Sequence, residues 1–466
     1  MQLPNRLKSP SLIQKFQWIT DPVAYMESAA QEYPDIFTGE IVGFGGTLVF
    51  VNHPQAIQEI LTSQKSKFAA DGRLNQFLQP LLGNYSLVML SGDRHKRRRQ
   101  LLMPSFHGER MRVYGQLISD LAEKVFSELP INQPFLARHG TQEISAQVML
   151  KVVFGLYEGE RYQQIKHSLL SMLDIFRSPL RSSFLLLPFL QQDLGAWSPW
   201  GKFLRQQQRI DELLCAEIAE RRQQANQDRI DIVSLLMSAT DEAGQPMTDE
   251  ELRDEIKTLM FGGYDTTATV MSWALYWIHH KPEVLEKLLQ ELDSLGDSPD
   301  PMTIFRLPYL SAVCNESLRT YSTVMLTFPT EVQERVEILG HSLEPGTVVA
   351  ACMYLIHQRE DLYPQPQEFR PERFLERQFS PYEFMPFGGI RRCIGEAFAM
   401  FEIKLILATI LSNYQFALTD PRPEQPQRRA LTLAPSNGAK MVITGRRQRQ
   451  QSSVTTANTS IPSVVH

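Results

Sequence analysis

Four cysteines in 466 residues, at positions 215, 314, 352 and 393, are too few and too scattered for a disulfide scaffold. No two of them form a C-x-x-C pair, which argues against a structural zinc site. Charge of one sign is also missing: 47 Lys and Arg stand against 52 Asp and Glu, a formal net charge of −5. A chain so balanced has no overall attraction for nucleic acid, and any basic feature must act locally. No apolar stretch approaches the ~20 residues that cross a bilayer, and the run from Phe184 to Leu190 is broken by Pro188. The opening Met-Gln-Leu-Pro-Asn-Arg-Leu-Lys-Ser-Pro has no apolar core of signal-peptide length. Neither repeats nor Gly/Ser linkers interrupt residues 1–440. These absences lead us to expect a soluble cytoplasmic protein with one domain over residues 1–444. Residues 445–466, rich in Arg, Gln, Ser and Thr without periodicity, read as a disordered tail.

What is present is mainly helical. Residues 35–52 alternate apolar and polar around glycines 43, 45 and 46, the pattern of a hairpin. From about 100 to 300, apolar residues recur at three- and four-residue spacing. Short β-rich pieces return near 332–350 and 431–444. One helix stands out. Thr248 and Glu251 form a capping box, and the pattern then runs to His280 before Lys281-Pro282 stops it. About 32 residues at 1.5 Å each give ~48 Å, enough to cross the domain. Its middle reads Phe261-Gly-Gly-Tyr-Asp-Thr-Thr-Ala268. Each glycine weakens a helix by about 1 kcal/mol. Threonines can bond back to carbonyls one turn earlier. A weak spot in the centre of a long buried helix calls for a functional reason.

A second unusual stretch, Phe387-Gly-Gly-Ile-Arg-Arg-Cys-Ile-Gly395, presents a cysteine and turns directly into a helical pattern. The unbonded N–H groups of a helix start favour negative charge. They are expected to lower the thiol pKa and hold Cys393 as thiolate, the form that binds metal. Such a sulfur suits iron, to which it lends electron density that aids O–O cleavage. Two other readings stay open on these residues alone: a packed cysteine in a tight turn, or a glycine loop cradling phosphate, although no G-x-x-x-x-G-K-[S/T] element occurs.

Four elements together resemble the cytochrome P450 family over about residues 20–440. The cysteine loop is similar to its haem-binding signature, Gly263-Tyr-Asp265-Thr266-Thr267 to its oxygen-activation motif, Glu316-Ser-Leu-Arg319 to its E-x-x-R motif, and Phe369-Arg-Pro-Glu-Arg373-Phe374 to its P-E-R-F segment. The resemblance implies a mainly α fold with a small β-rich region and haem b between the long central helix and the cysteine loop. Cys393 would then be the axial ligand of the haem iron. Asp265 and Thr266 would lie beside bound dioxygen, the hydroxyl donating to the distal oxygen and the carboxylate relaying protons through water. Glu316, Arg319 and Arg373 would form a charge network supporting the loop. His95 and Arg99, four apart and so on one helix face, would bond a haem propionate, as would Arg391, with Phe387 also lining the cofactor. The outward residues Arg94, Lys96, Arg97 and Arg98, with Arg392, would offer a basic proximal face to a ferredoxin- or flavodoxin-type donor fed by NAD(P)H.

The chain departs from that pattern in two places. Phe387 stands six residues before the cysteine where the family has Phe seven before, a place taken here by Pro386. Thr330 stands where a propionate-binding Arg is common. Apolar residues in 78–90, 324–328 and 431–434 point to a lipophilic substrate, a terpene or fatty-acid-like chain. The Phe-, Leu-, Pro- and Trp-rich stretch from Phe176 to Trp200 reads as an access lid that could touch lipid. Two further functions fit the same loop. One is a peroxide-using or hydroperoxide-rearranging haem-thiolate enzyme, against which Asp265-Thr266 argues. The other is a degenerate, non-catalytic haem protein.

Overall fold

The computed structural model describes residues 3–63, 67–106, 109–175, 183–224, 229–296, 299–429 and 431–448. Six helices position the site: α1 (Gly92–Leu102), α2 (Ala137–Val148), α3 (Asp249–His280), α4 (Pro308–Thr320), α5 (Met353–His357) and α6 (Glu396–Asn413). The expected long helix is α3. Thr248 Oγ1 accepts from the Glu251 N–H at 3.2 Å and the Glu251 carboxylate accepts from the Thr248 N–H at 3.0 Å. These reciprocal bonds satisfy N–H groups that a helix start otherwise leaves unbonded.

Helix α3 is buried along most of its length because it packs against several neighbours at once. Small residues let α2 approach closely: Thr141 Oγ1 bonds the Ala268 carbonyl and Ser272 Oγ, both at 3.0 Å. Trp273 is fully buried and donates its indole N–H to the Leu433 carbonyl at 2.9 Å. Helix α6 is apolar on nearly all sides and buried among the helices, as expected of a core helix.

The β-rich region is small. A five-stranded sheet contains β1 (Ile36–Glu40), β2 (Thr47–Val51), β3 (Phe68–Ala69), β4 (Thr330–Val332) and β5 (Val348–Ala351), in the order β1-β2-β5-β4-β3. The expected hairpin forms between β1 and β2, with Phe37 opposite Phe50 and their rings stacked at 4.7 Å. A second hairpin joins β6 (Pro426–Arg429) to β7 (Thr432–Pro435), and β8 (Lys440–Arg446) pairs with strands 134–136 and 414–418. The expected domain boundary after residue 444 therefore falls inside a strand. Ladder pairing carries β8 through Arg446, and Arg447 forms a two-pronged pair with Asp293 at 2.9 and 2.6 Å. Residues 449–466 of the expected tail, and 176–182 of the expected lid, lie outside the described residues. Later in that lid, Phe184, Leu185 and Trp200 are buried, whereas Phe189, Leu194 and Trp197 are exposed. No described helix is long and apolar enough to cross a membrane.

Candidate active site

The cysteine loop is a closed turn. The Cys393 N–H donates to the Phe387 carbonyl at 3.0 Å, and the Gly388 N–H to the Met385 carbonyl at 2.9 Å. Between them Gly389 sits at φ +103°, a region closed to most side chains, and a Cβ there would come within 3.1 Å of Thr327. The six-residue spacing from Phe387 thus still presents Cys393 at the start of α6. The thiol is free and opens onto accessible space, yet protein packs densely around it.

That packing corrects one expectation. Burial raises the Cys393 pKa above the ordinary thiol value. The N–H groups of Gly395 and Glu396 and the Arg99 guanidinium act the other way, as the helix start led us to expect. Desolvation outweighs them, because taking a bare anion out of water costs more than two N–H dipoles return. A coordinating metal ion reverses that balance by deprotonating the thiol outright.

The basic helix α1 divides differently from the expected pattern. Arg94, Lys96 and Arg97 are exposed, with Arg97 paired to Asp241. Arg98 is buried and does not face outward. Its guanidinium pairs with Glu251 and, at 2.8 Å, with Glu255, and donates to the Tyr85 carbonyl at 2.8 Å. The reason is geometric: Arg98 lies three and four residues before the buried Leu101 and Leu102, on the inward face of α1. Burial still pushes the Glu255 carboxyl up to about 7, with Arg98 opposing the rise. His95 and Arg99 are half-buried, and Arg99 reaches the cysteine loop, where its Nη1 donates to the Arg392 carbonyl at 2.6 Å. Arg392 itself is exposed and clasps Glu396 with two bonds of 2.6 Å. Arg391 turns inward. Its Nη atoms donate to the carbonyls of Ala70, Leu87, Val88 and Leu90 at 2.5–3.2 Å. Among the described residues it has no ion-pair partner, and burial lowers its pKa to about 10.

The weak centre of α3 is where the helix is uncovered. Phe261, Gly262, Asp265 and Thr266 are less buried than the turns on either side, and Gly262 is exposed in the middle of the chain's longest described helix. These positions fall on one face. Thr266 Oγ1 bonds back to the Gly262 carbonyl, the local bond expected of a mid-helix threonine. Asp265 is held by its neighbours. Among the described residues, Arg138 Nη2 reaches Oδ1 at 2.5 Å, Gln142 Nε2 reaches the same oxygen at 3.0 Å, and Thr432 Oγ1 reaches Oδ2 at 3.3 Å.

The structure brings Glu316, Arg319 and Arg373 together as the motifs imply. Glu316 accepts from Arg319 Nε at 2.7 Å and Nη2 at 2.9 Å, from Arg373 Nε at 3.1 Å and from the Arg370 N–H at 2.9 Å. All three side chains are buried. Both guanidinium groups also bond carbonyls of the segment 357–368, which clamps it to α4.

His357, which no motif marked, continues this network to the loop. Arg319 donates to its carbonyl at 2.8 Å, and its ring Nε2 accepts the Met385 N–H at 3.1 Å. Nε2 is therefore the acceptor, and Nδ1 carries the proton toward Ser322 Oγ at 2.8 Å. Burial first, and the Arg319 charge second, lower the His357 pKa to about 3. The unfolded chain binds a proton that the native state refuses. This contribution is complete above the ordinary histidine value of about 6.5, and is lost as pH falls from there toward 3 at up to about 1.4 kcal/mol per unit. His357→Gln is therefore expected to lose less stability than wild type between pH 7 and pH 5 in denaturant titrations. Equal losses would contradict a neutral buried ring.

These residues fit a haem. The set combines a free thiol on accessible space, the part-buried Arg391 guanidinium that makes no direct ion pair among the described residues, and a glycine whose added Cβ would meet nothing within 4 Å at Gly262. Thr330 adds a buried hydroxyl with no bonding partner among the described residues. Cys393 can ligate iron, while His95, Arg99 and Arg391 can face carboxylates.

Comparisons with known proteins agree. A sequence model of the family described as Cytochrome P450 matches residues 5–441. Cytochrome P450 135B1 of Mycobacterium bovis is 32% identical over 461 residues, covering 98% of this chain and 94% of the relative. Cytochrome P450 135A1 of Mycobacterium tuberculosis is 30% identical over 451 residues, covering 96% and 95%. Among solved structures, the retinoic acid-bound cyanobacterial CYP120A1 superposes with a TM-score of 0.83 at 21% identity, covering 96% of this chain and 100% of that one. A cysteine loop at the head of α6, a long helix uncovered at its centre and a buried Glu-Arg-Arg network, in a chain matched from end to end by such relatives, place this chain in the cytochrome P450 family of haem-thiolate monooxygenases.

Proposed function

We propose that Cys393 is the thiolate ligand of the haem iron and that the uncovered face of α3 receives dioxygen. The observation that carries this reading is that both surfaces are open inside a domain otherwise packed around them: Cys393 at the start of α6, and Phe261, Gly262, Asp265 and Thr266 on one face at the centre of α3. The bound haem supplies the activation of dioxygen, with electron density from its sulfur ligand. With that group in place, Thr266 would turn its hydroxyl from the Gly262 carbonyl to donate a hydrogen bond to dioxygen. Asp265 passes protons to it through water. His95, Arg99 and the remaining Nε–H of Arg391 bond the propionates, and Phe387 packs beside the macrocycle.

Electrons come from NAD(P)H through a ferredoxin- or flavodoxin-type protein. Arg97 and Arg392 are each paired with a carboxylate, so among the described residues the unpaired charge of this face rests on Arg94 and Lys96. Such rim charges raise association rates at low salt. The substrate is lipophilic, a terpene or fatty-acid-like chain, and meets the partly exposed Val88, Val324, Phe328 and Leu431. A Soret shift on adding terpenes or fatty acids supports this; a shift with small polar compounds alone overturns it. The setting is the cytoplasm, where free thiols stay reduced.

Thr266→Ala is expected to consume reduced donor at a rate near wild type while product per electron falls by about a hundredfold, the lower end of the range for a positioned proton-transfer group. The missing electrons should appear as peroxide. Equal coupling in variant and wild type would remove Thr266 from proton delivery.

A further inference from the structure

Beyond its uncovered centre, α3 carries an aromatic run that leads to the surface. Trp273 lies two turns after Thr266, about 10 Å further along the axis and on the same face. It is fully buried, and its indole N–H donates at 2.9 Å to the Leu433 carbonyl of the β6–β7 hairpin, whose Thr432 bonds Asp265. From Trp273 the ring centroids step 4.4 Å to Tyr321, at the end of α4, and 6.0 Å to Tyr276. Both of these meet Trp277, Tyr276 at 5.1 Å and Tyr321 at 6.3 Å. Trp277 is half-buried, and the run ends at the exposed His280, stacked on Tyr276 at 5.2 Å.

Two features set this run apart from aromatic packing alone. The Trp277 indole N–H is buried with no hydrogen-bond partner among the described residues. An unsatisfied buried donor lowers stability. A phenyl ring would avoid that and still stack on Phe369, whose centroid is 5.3 Å away. Tyr276, in turn, has an outlet for its proton. Its hydroxyl accepts the Glu424 N–H at 3.1 Å, which leaves its own hydrogen for His280 Nδ1 at 3.5 Å.

We propose that Trp273, Tyr321, Trp277 and Tyr276 form a chain that carries electrons from the surface to the oxygen site when dioxygen has been activated and no substrate receives it. This rests on the reading that the uncovered face of α3 receives dioxygen. Indole and phenol rings give up single electrons more readily than other carbon side chains, and rings in contact pass them on in short steps. An idle cycle closes when two electrons and two protons turn the remaining oxygen atom of the cosubstrate into water. In each of two passes, Trp273 gives one electron to the oxygen site and is refilled from the rings beyond it. Tyr276 loses an electron and passes its phenolic proton to the neutral His280 ring, which leaves a neutral tyrosyl radical. A small-molecule thiol then gives its electron through the half-buried Trp277 and its proton to solvent, and His280 returns the held proton to Tyr276. Solvent supplies the proton taken up at the oxygen site. Over two passes two thiols become one disulfide and the oxygen atom becomes water.

The test mixes haem-loaded enzyme with hydrogen peroxide, without substrate, and freezes it. Paramagnetic resonance should show an organic radical in wild type whose hyperfine pattern narrows when the protein carries ring-deuterated tyrosine. Tyr276→Phe, which keeps the ring and drops the hydroxyl, should lose that deuterium-sensitive signal. Glutathione should clear the signal in wild type and leave it standing in Trp277→Phe. During substrate-free turnover with the donor chain, both variants should lose haem absorbance several-fold sooner per electron consumed, whereas product per electron with a turned-over compound stays at the wild-type value. A radical unchanged in Tyr276→Phe, equal clearance by glutathione in Trp277→Phe, or haem loss at the wild-type rate in both variants overturns the chain. Trp277→Phe removes an unpaired donor and decides the matter alone if Tyr276→Phe does not fold. Wild type that forms product but no protein radical also overturns the chain, whereas wild type that forms neither fails the reading of the oxygen site itself.

Discussion

Cys393→Ala is expected to reduce product formation to background and to abolish the absorption band of thiolate-ligated, CO-bound ferrous haem. The argument does not depend on the thiol being acidic in the bare protein, since burial raises its pKa. It depends on position. The closed turn from Phe387 to Cys393 and the positive φ of Gly389 fix the sulfur at the head of α6, with the N–H groups of Gly395 and Glu396 directed at it. Those donors stabilise charge that builds on sulfur once a metal has removed its proton. Alanine leaves the turn intact and removes the ligand alone. Thermal stability of the haem-free protein should therefore be nearly the same in variant and wild type. A variant that keeps the thiolate-type band would refute the assignment.

Glu316→Ala is expected to cost about 3–5 kcal/mol, the range for removing one partner of a buried ion pair. It should prevent accumulation of haem-loaded protein. Glu316 is the common acceptor for Arg319, Arg373 and the Arg370 N–H, and it is fully buried. Without it, two buried guanidinium groups lose their only shared anion. Burial already lowers the Arg373 pKa, and Glu316 opposes that fall. Arg319 also carries His357 through its carbonyl, and His357 carries the Met385 N–H that begins the cysteine loop. Damage at Glu316 is thus relayed to the start of the cysteine loop by three named bonds. Denaturant midpoints and haem content of the purified variant check this. Normal haem content together with a loss under about 1 kcal/mol, the worth of a surface ion pair, would show that the network is dispensable.

Much of this site can be read from the sequence where function is written locally. The capping box at Thr248 and the glycine loop before Cys393 each fix backbone geometry within a few residues, and the doubled glycine at 262 and 263 leaves α3 unbroken but marks where its cover is missing. Their structural counterparts appear where expected. Glu316 and Arg319, three apart on α4, were legible in the same way. Arg98 was not, although a signal existed: it shares a helix face with Leu101 and Leu102, and Glu251 and Glu255 stand four apart on α3 to receive it. A run of like charges draws attention to solvent, whereas helical phase decides which member turns inward. Arg138 and His357 carried no local signal. Arg138 meets Asp265 across 127 residues of sequence, and His357 meets Met385 across 28. Only the folded chain brings them together. The thiol pKa went the other way because a helix start is visible in sequence and desolvation is not.

The most direct measurement is the absorption spectrum of the haem-loaded, reduced protein under carbon monoxide. Ligation by Cys393 predicts the strongly red-shifted Soret band of thiolate-ligated, CO-bound haem. A band at the shorter wavelength of nitrogen-ligated haem, in freshly prepared and catalytically competent protein, would contradict it.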